Sequence, residues 1–210
     1  MIEKKLKDGY RVIIVFGETT LKKSSKILIK YIFLFFFVVK NTMAYEEANY
    51  QVVQKFENFE IRSYQERYVI QVRYNNEDGG FQKLFNYISG KNKKSEKIEM
   101  TTPVTQYASG NQQIMQFYLP ARFNQKSAPI PLNDAVEVAS IESGHFAVIR
   151  YSGFASDKNF FKHASILKNS LKKENIEFKE PPIKATYNGP FTLPNLRRNE
   201  AMYLINFKNE

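Results

Sequence analysis

The chain repeats one pattern, two strands followed by a helix, and this repeat constrains the fold more than any other feature of the sequence. The segments FEIRSY and YVIQVRY alternate apolar and polar residues, as strands do, and the helical segment GGFQKLFNYISG follows them. Further along, VEVASI and FAVIRYSG are again strand-like and precede a helix predicted from about Asn159 to Lys173. At an offset of 77 residues, Glu60 aligns with Glu137 and Arg73 with Arg150. We therefore expect an internally duplicated domain.

This duplication predicts how the two halves pack. Each half exposes an apolar sheet face that its single helix cannot cover, so the halves are expected to join into one antiparallel sheet with two helices against it. The segments IEMTTPVTQYA and QQIMQFYLP supply two more strands around a turn at residues 109–111. The predicted fold class is α+β, built from a duplicated strand–helix–strand–strand unit.

Apolar residues at helical spacing predict the buried face of each helix. The first helix begins after the Gly79–Gly80 pair and stops at Gly90. Its predicted buried face comprises Phe81, Leu84, Phe85 and Ile88. The second helix has Ser156 or Asp157 as its predicted N-cap. Its predicted buried face comprises Phe160, Ala164, Leu167 and Leu171.

The N-terminal 44 residues have the organisation of an extension followed by a secretory signal peptide. Four lysines between residues 22 and 30 precede an apolar run from Tyr31 to Val39, and small side chains at Thr42 and Ala44 occupy the positions that a signal peptidase reads. We predict cleavage after Ala44 and export to the periplasm or the cell exterior, leaving residues 45–210 as the mature domain. A membrane anchor over residues 27–39 is the alternative, although its apolar run is shorter than the ~20 residues of a spanning helix.

Charge and composition limit the classes of function. The formal charge is +10, but residues 1–44 hold nine of the 31 Lys/Arg and three of the 21 Asp/Glu, so the remainder carries only +4. This near-balance does not favour nucleic-acid binding. The absence of cysteine excludes disulfides, thiol nucleophiles and cysteine-ligated metal sites.

Several motifs in order along the chain resemble the SOUL, or heme-binding protein, family. They are FEIRSY, GFQKLFNYISGKN, KKSEKIEMTTPVTQY, FAVIRYSG and TLPNLRRNEAMY, and together they extend over about residues 48–207. The resemblance implies a distorted antiparallel β-barrel flanked by two helices, and it implies binding of haem or another tetrapyrrole. Because fold alone does not fix function, the site residues are argued separately.

The first helix supplies most of the predicted haem-binding residues. A hydrophobic groove between this helix and the sheet would be lined by Phe81, Leu84, Phe85, Ile88 and Met100. Lys83 would pair with a haem propionate and resembles a family position that carries a basic residue. For Met100, contact with the pocket wall and filling of the core are compatible, whereas ligation of iron through an unaided thioether is rare.

The two histidines are the candidate iron ligands, because imidazole is the commonest protein ligand of haem iron. His163 falls at the boundary of the second helix's apolar face and is the better candidate. His145 lies at the start of a strand beside a glycine turn, where an exposed side chain is expected. The family has no axial histidine shared by all members, so the resemblance assigns neither.

Other basic residues have structural explanations. Arg197 and Arg198 are expected to form an ion-pair and hydrogen-bond network that ties the last strand to the sheet. The lysine-rich run from Lys91 to Lys97 is interpreted as a solvated loop, with propionate binding at a pocket mouth as its alternative.

Two other functional classes stay open beside non-catalytic haem binding. One is a protein-interaction or membrane-surface module that has lost the ligand. The other is a glutamate-dependent hydrolase, suggested by analogy with related effector-binding domains, in which Glu60, Glu99 and Glu200 would be the acid or base groups. The sequence contains no G-x-S-x-G, H-E-x-x-H or Walker motif, so we expect a carrier, buffer or scavenger and no enzyme.

Overall fold

The computed structural model describes residues 2–5, 11–14, 45–75 and 79–207. The chain divides into two compact units, residues 1–44 and 45–210. In the first unit, β1 (Ile2–Lys5) pairs antiparallel with β2 (Arg11–Ile14). The predicted signal peptide, its cleavage point and the alternative anchor lie outside the described residues and stay predictions. In the described ranges, no helix combines the length and apolarity needed to cross a membrane.

The second unit is built on one nine-stranded antiparallel sheet. Its strands in chain order, together with the short strands β3 and β7, are β3 (Glu46–Glu47), β4 (Tyr50–Lys55), β5 (Glu60–Tyr64), β6 (Arg67–Tyr74), β7 (Thr101–Thr102), β8 (Val104–Ser109), β9 (Gln112–Tyr118), β10 (Val136–Ile141), β11 (Gly144–Tyr151), β12 (Phe178–Thr186) and β13 (Asn199–Ile205). The sheet order is β10-β6-β9-β8-β12-β13-β11-β5-β4, and β3 pairs in parallel with β7 outside it.

The sheet is curled into a half-barrel. Strands β5 and β6 are second from opposite edges of the sheet, yet only Gln65 and Glu66 join them along the chain. The three Cα–Cα steps from Tyr64 to Arg67 span at most about 11 Å, so the two ends of the sheet have to approach each other. This confirms the predicted α+β fold, an antiparallel sheet of barrel-like curvature with two helices against it.

The two helices cover different parts of one sheet face. Helix α1 (Gly80–Ile88) packs on β6 and β9, whereas α2 (Asp157–Lys173) packs on β11 and β13. The predicted buried face of α2 is confirmed at all four positions, and the hydroxyl of Ser156 accepts the N-cap hydrogen bond from the backbone N–H of Asn159.

Helix α1 is rotated relative to the prediction. Leu84 and Ile88 are buried as expected, but Tyr87 is buried with them, while Phe81 and Phe85 are 47% and 44% exposed. The Tyr87 hydroxyl donates a hydrogen bond of 2.7 Å to the carbonyl of Pro129, so this tyrosine can be buried without leaving its polar group unpaired. The prediction that Phe81 and Phe85 belong to the buried face is therefore wrong.

The opposite, inner face of the half-barrel has its own core. Strand residues alternate between the two faces, and the inner side chains form a cluster of Tyr64, Phe146, Val148, Ala185 and Met202. Every strand of this sheet lies between residues 45 and 207, and so do the three hydrophobic clusters formed by the described residues. The second unit therefore holds a complete core by itself and is expected to fold alone.

Candidate functional site

The exposed flank of α1 carries a pair of aligned aromatic rings. The ring centroids of Phe81 and Phe85 are 6.1 Å apart and their planes differ by 13°. The edge of the Phe81 ring contacts Phe117 of β9, with the centroids 5.0 Å apart, which anchors the pair to the sheet. We call these two residues the ring pair. They form an apolar surface on a helix flank that would ordinarily be polar.

Lys83 lies on the other flank of α1. At about 100° per residue, Lys83 is rotated by about 160° from Phe85 around the helix axis. Its side chain is half-buried and lines a separate cavity of about 260 Å³, together with Tyr87, Leu132 and Val136. The structure thus places the ring pair and Lys83 beside different surfaces.

The remaining predicted wall residues belong to the core beneath α1. Leu84 is completely buried and Ile88 is 6% exposed, and Met100 is partly buried against the same cluster. These three side chains support the helix from below. They are not part of its exposed surface.

His163 is held in one orientation on α2. Its ring stacks on Tyr151 with a centroid distance of 4.1 Å and an interplanar angle of 4°. Its Nδ1 lies 2.8 Å from the carbonyl oxygen of Asn159. Because a carbonyl oxygen only accepts, Nδ1 carries the proton of this hydrogen bond, so Nε2 is the ring nitrogen left to act as a metal ligand.

The structure does not bring His163 together with the ring pair. Tyr151, on which His163 stacks, ends β11, whereas Phe117 beneath the ring pair belongs to β9. Strands β8, β12 and β13 lie between β9 and β11. At about 4.8 Å per strand, this separates the two positions by about 19 Å along the sheet.

His145 lines a cavity on a different part of the domain. This cavity has a volume of about 720 Å³ and lies beside the β10–β11 turn, with Phe146, Leu204, Phe207 and Lys179 among its walls. The rings of His145 and Phe207 are 5.7 Å apart. The expected exposed strand-end histidine is instead half-buried, because the chain that follows β13 passes beside it.

Glu200 is the centre of a buried ion network on the inner face. Its carboxylate accepts hydrogen bonds from Arg62 at 2.8 and 3.1 Å, from Arg198 at 2.9 Å and from the Tyr187 hydroxyl at 2.8 Å. Burial would lower the pKa of Arg62, but the hydrogen bond and charge of Glu200 outweigh it and raise the pKa. Burial, followed by the charge of Glu200, also raises the pKa of Tyr187.

Arg198 extends this network to the N-terminal end of the domain. Its two Nη atoms donate to both carboxylate oxygens of Glu47, each at 2.8 Å. Arg197 instead donates to the carbonyls of Thr192 and Pro190. Both arginines thus have structural contacts, but only Arg198 joins the predicted ion-pair network, whereas Arg197 braces its own loop.

The three glutamates considered for catalysis are all engaged by arginine. Glu60 accepts a 2.6 Å hydrogen bond from Arg62, and Glu99 pairs with Arg122 at 2.5 Å. A hydrogen bond from its own backbone amide, and then Arg122, lower the pKa of Glu99. In all three cases arginine therefore occupies carboxylate oxygens that a substrate would have to reach in an acid or base step.

Sequence reasoning missed two features of the inner face. One is the pairing of Arg62 with Glu200, which are separated by 138 residues and meet only through the β5–β11–β13 neighbourhood. The other is Arg67, whose guanidinium lies 4.1 Å from the centroid of the Tyr64 ring. Two of its nitrogens, Nε and Nη2, are buried without a hydrogen-bond partner among the described residues. The sequence does show charged residues within strands of alternating pattern. This alternation does not reveal which of the charged side chains face the inside of the half-barrel.

Comparisons with known proteins agree with the fold and the motifs. The family model described as SOUL heme-binding protein matches residues 45–204. Heme-binding protein 2 of Mus musculus and of Homo sapiens are each 34% identical over 139 residues, covering 62% of this chain and 66% of the relative, just under two thirds of its length. A hydrolase from Listeria innocua shares the fold at a TM-score of 0.54 and 10% identity, covering 73% of this chain and 94% of that structure.

Proposed function

Because the chain belongs to the SOUL heme-binding protein family, we propose that it binds haem or a closely related tetrapyrrole without catalysing a reaction on it. Carriage, buffering or scavenging of haem are the roles that such binding supports. Relatives that are 34% identical are named for haem binding, which supports haem as the ligand.

The ring pair is the observation that carries the proposed site. Two near-parallel rings, each nearly half exposed, offer an aromatic apolar surface against which a macrocycle can pack. Leu84 and Ile88 fix the helix from below, so the surface is formed before the ligand arrives. Lys83 lies on the other flank of the same helix and beside a different surface, so its pairing with a propionate is a separate proposal that requires haem to lie on the Lys83 flank.

The residues present fit haem in a second way at His145. The cavity of about 720 Å³ lies within the ~300–1,000 Å³ range of small-molecule sites. It combines an imidazole, apolar walls and the cation of Lys179, which are the groups that iron, porphyrin and propionate require. The nearby carboxylates of Glu142 and Glu177 oppose a propionate there, so the ring pair is our first choice.

The proposal of non-catalytic binding is supported by the state of the three glutamates. The hydrolase alternative needs a carboxylate that is free to exchange a proton with a substrate. Glu60, Glu99 and Glu200 are all paired with arginine side chains. Likeness to the Listeria innocua hydrolase extends to the fold alone at 10% identity.

Titration of haemin into purified residues 45–210, followed by visible absorption, tests the proposed function. Saturation at one equivalent with a shifted Soret band is the expected result. Absence of saturable binding would reject haem as the ligand. The two remaining functional classes would then be an interaction module and a glutamate-dependent hydrolase. The Lys83→Glu variant tests the propionate role, which an unchanged haem affinity would eliminate.

Export through the predicted signal peptide would place this binding in the periplasm or outside the cell. The proposal predicts an intact mass for the exported protein that corresponds to a chain beginning at Tyr45. Recovery of a chain that still contains residues 31–39 would instead support the membrane anchor.

A further inference from the structure

Four large apolar side chains project from two neighbouring loops next to α2. Phe191 is 99% exposed, and Phe154, Leu193 and Leu196 are 65%, 63% and 67% exposed. We call these four residues the apolar tip. Single exposed apolar residues are ordinary, but four large ones on adjacent loops form a surface that calls for a partner.

The longer of the two loops, residues 188–198, is fixed by its own hydrogen bonds. Arg197 donates through Nε to the carbonyl of Thr192 at 2.8 Å and through Nη2 to that of Pro190 at 2.6 Å. The backbone N–H of Thr192 donates to Gly189, and a single 3₁₀ turn spans Pro194–Leu196. The two prolines have no N–H that would need a partner. Many polar backbone groups of the loop are thus already satisfied.

The shorter loop is locked to the longer one. The N–H of Gly153 donates to the carbonyl of Pro194 at 2.8 Å, and the side-chain amide of Asn159 donates to the carbonyl of Phe154 at 2.9 Å. The guanidinium of Arg197 lies 5.7 Å from the centroid of the Phe154 ring. The apolar tip therefore projects from a single pre-formed platform.

The charges around the apolar tip are predominantly positive. Residues 187–198 contain no aspartate or glutamate, and of their two arginines Arg198 is paired with Glu47 and Glu200, which leaves the charge of Arg197. The first turns of α2 present Lys158 and Lys162, which are exposed. The only acidic residue of this helix segment, Asp157, forms an ion pair with Lys184 at 2.8 Å.

We propose that the apolar tip docks on an anionic lipid surface, with Phe191, Leu193 and Leu196 entering the interface between headgroups and acyl chains. Three observations favour a membrane over a protein partner. The side chains protrude rather than line a groove, the internal hydrogen bonds reduce the cost of taking the loop backbone out of water, and lysines flank the apolar residues. This proposal does not depend on haem binding.

Co-sedimentation with lipid vesicles tests the proposal. Residues 45–210 would be mixed with vesicles of phosphatidylcholine and phosphatidylserine, and with vesicles of phosphatidylcholine alone. We expect binding to the mixed vesicles and much weaker binding to the neutral ones. The Phe191→Ser/Leu193→Ser variant is expected to bind the mixed vesicles at least ~10-fold more weakly. The Lys158→Ala/Lys162→Ala variant is expected to lose about fivefold per lysine.

Matched variants decide what each outcome means. The Phe81→Ser/Phe85→Ser variant removes two large apolar side chains from the α1 surface and is expected to bind vesicles like the parent. Far-ultraviolet circular dichroism and haemin titration of the apolar-tip variant check that the domain is folded. Equal vesicle binding by the Phe191→Ser/Leu193→Ser variant and the parent would overturn the proposal. Such binding would be explained by adsorption of lysines to the anionic headgroups alone. Failure of the parent to bind mixed vesicles would also overturn it, in favour of a protein partner.

Discussion

Arg62 and Glu200 form an ion pair that is almost entirely removed from solvent on the inner face of the half-barrel. Arg62 Nη1 lies 2.8 Å from Glu200 Oε2, and the two side chains are 3% and 0% exposed. Arg198 and Tyr187 complete the coordination of the same carboxylate. Two arginines converge on one glutamate, so this glutamate neutralises charge that burial would otherwise make costly.

Removal of Glu200 is therefore expected to destabilise the domain strongly. The Glu200→Ala variant removes the carboxylate shared by Arg62 and Arg198 and leaves them only the part-exposed Glu60 and Glu47 as acidic partners, which costs up to about 3–5 kcal/mol in the free energy of unfolding. Denaturant unfolding of residues 45–210 measures this loss. Glu99→Ala, which removes an exposed glutamate, is the control and should leave the denaturant midpoint of unfolding unchanged. A Glu200→Ala midpoint equal to the parent's would contradict the structural role of the network.

The rotation of α1 predicts unequal losses of stability when neighbouring residues are substituted. Leu84→Ala opens a cavity beneath the helix and is expected to lower the free energy of unfolding by about 2–5 kcal/mol. Phe85→Ala removes a side chain that is 44% exposed, so its cost should be smaller. The same denaturant experiment compares them, and a larger loss in Phe85→Ala would place Phe85 in the core after all.

Buried tyrosines predict a loss of stability at alkaline pH. Burial, and then the charge of Glu180, raise the pKa of Tyr203 from 10.0 to about 12. Above pH 10 the unfolded chain loses this proton while the folded chain keeps it, so the contribution to stability is present below pH 10 and falls as pH rises towards 12. Tyr203→Phe removes the titrating group, so its free energy of unfolding should fall less steeply over this range. Identical slopes for variant and parent would show that Tyr203 does not contribute.

The separation between the ring pair and the histidines predicts which variants change the haem spectrum. With haem on the ring pair, neither His163→Ala nor His145→Ala should move the Soret band of the ferric or ferrous complex. Loss of the shift in His163→Ala would place haem on α2, where the free Nε2 of His163 is available. Loss in His145→Ala would place it in the cavity of about 720 Å³.

Period-two alternation and helical spacing were sufficient to predict most strands of the sheet, both helices and the fold class, but not the edge strand β4 or the central strand β12. The buried face of α2 followed directly because its residues Phe160, Ala164, Leu167 and Leu171 are flanked by polar ones. The rotation of α1 did not follow, because its short sequence contains four large apolar residues and a tyrosine. Which of these face inward depends on the carbonyl of Pro129, far along the chain, which pairs with Tyr87.

The candidate site was predictable in its residue types but not in its arrangement. Helical spacing alone already sets Lys83 and Phe85 on opposite flanks of α1 once the buried side is known. The distance from His163 to the ring pair depends on sheet order, which places three strands between β9 and β11 and which local patterns do not encode. The internal repeat stays a prediction.

The most direct test of the proposed haem site compares the affinity of haemin for two matched variants of residues 45–210. Phe81→Ser/Phe85→Ser removes the ring pair, and Phe191→Ser removes an exposed ring from a different surface. We expect haemin to bind at least ~10-fold more weakly to the first variant and with parental affinity to the second. Only the first substitution removes rings that contact haem, so only this complex loses their apolar burial and their stacking. Parental affinity in Phe81→Ser/Phe85→Ser, with the fold intact by circular dichroism, would contradict the assignment of haem to the ring pair.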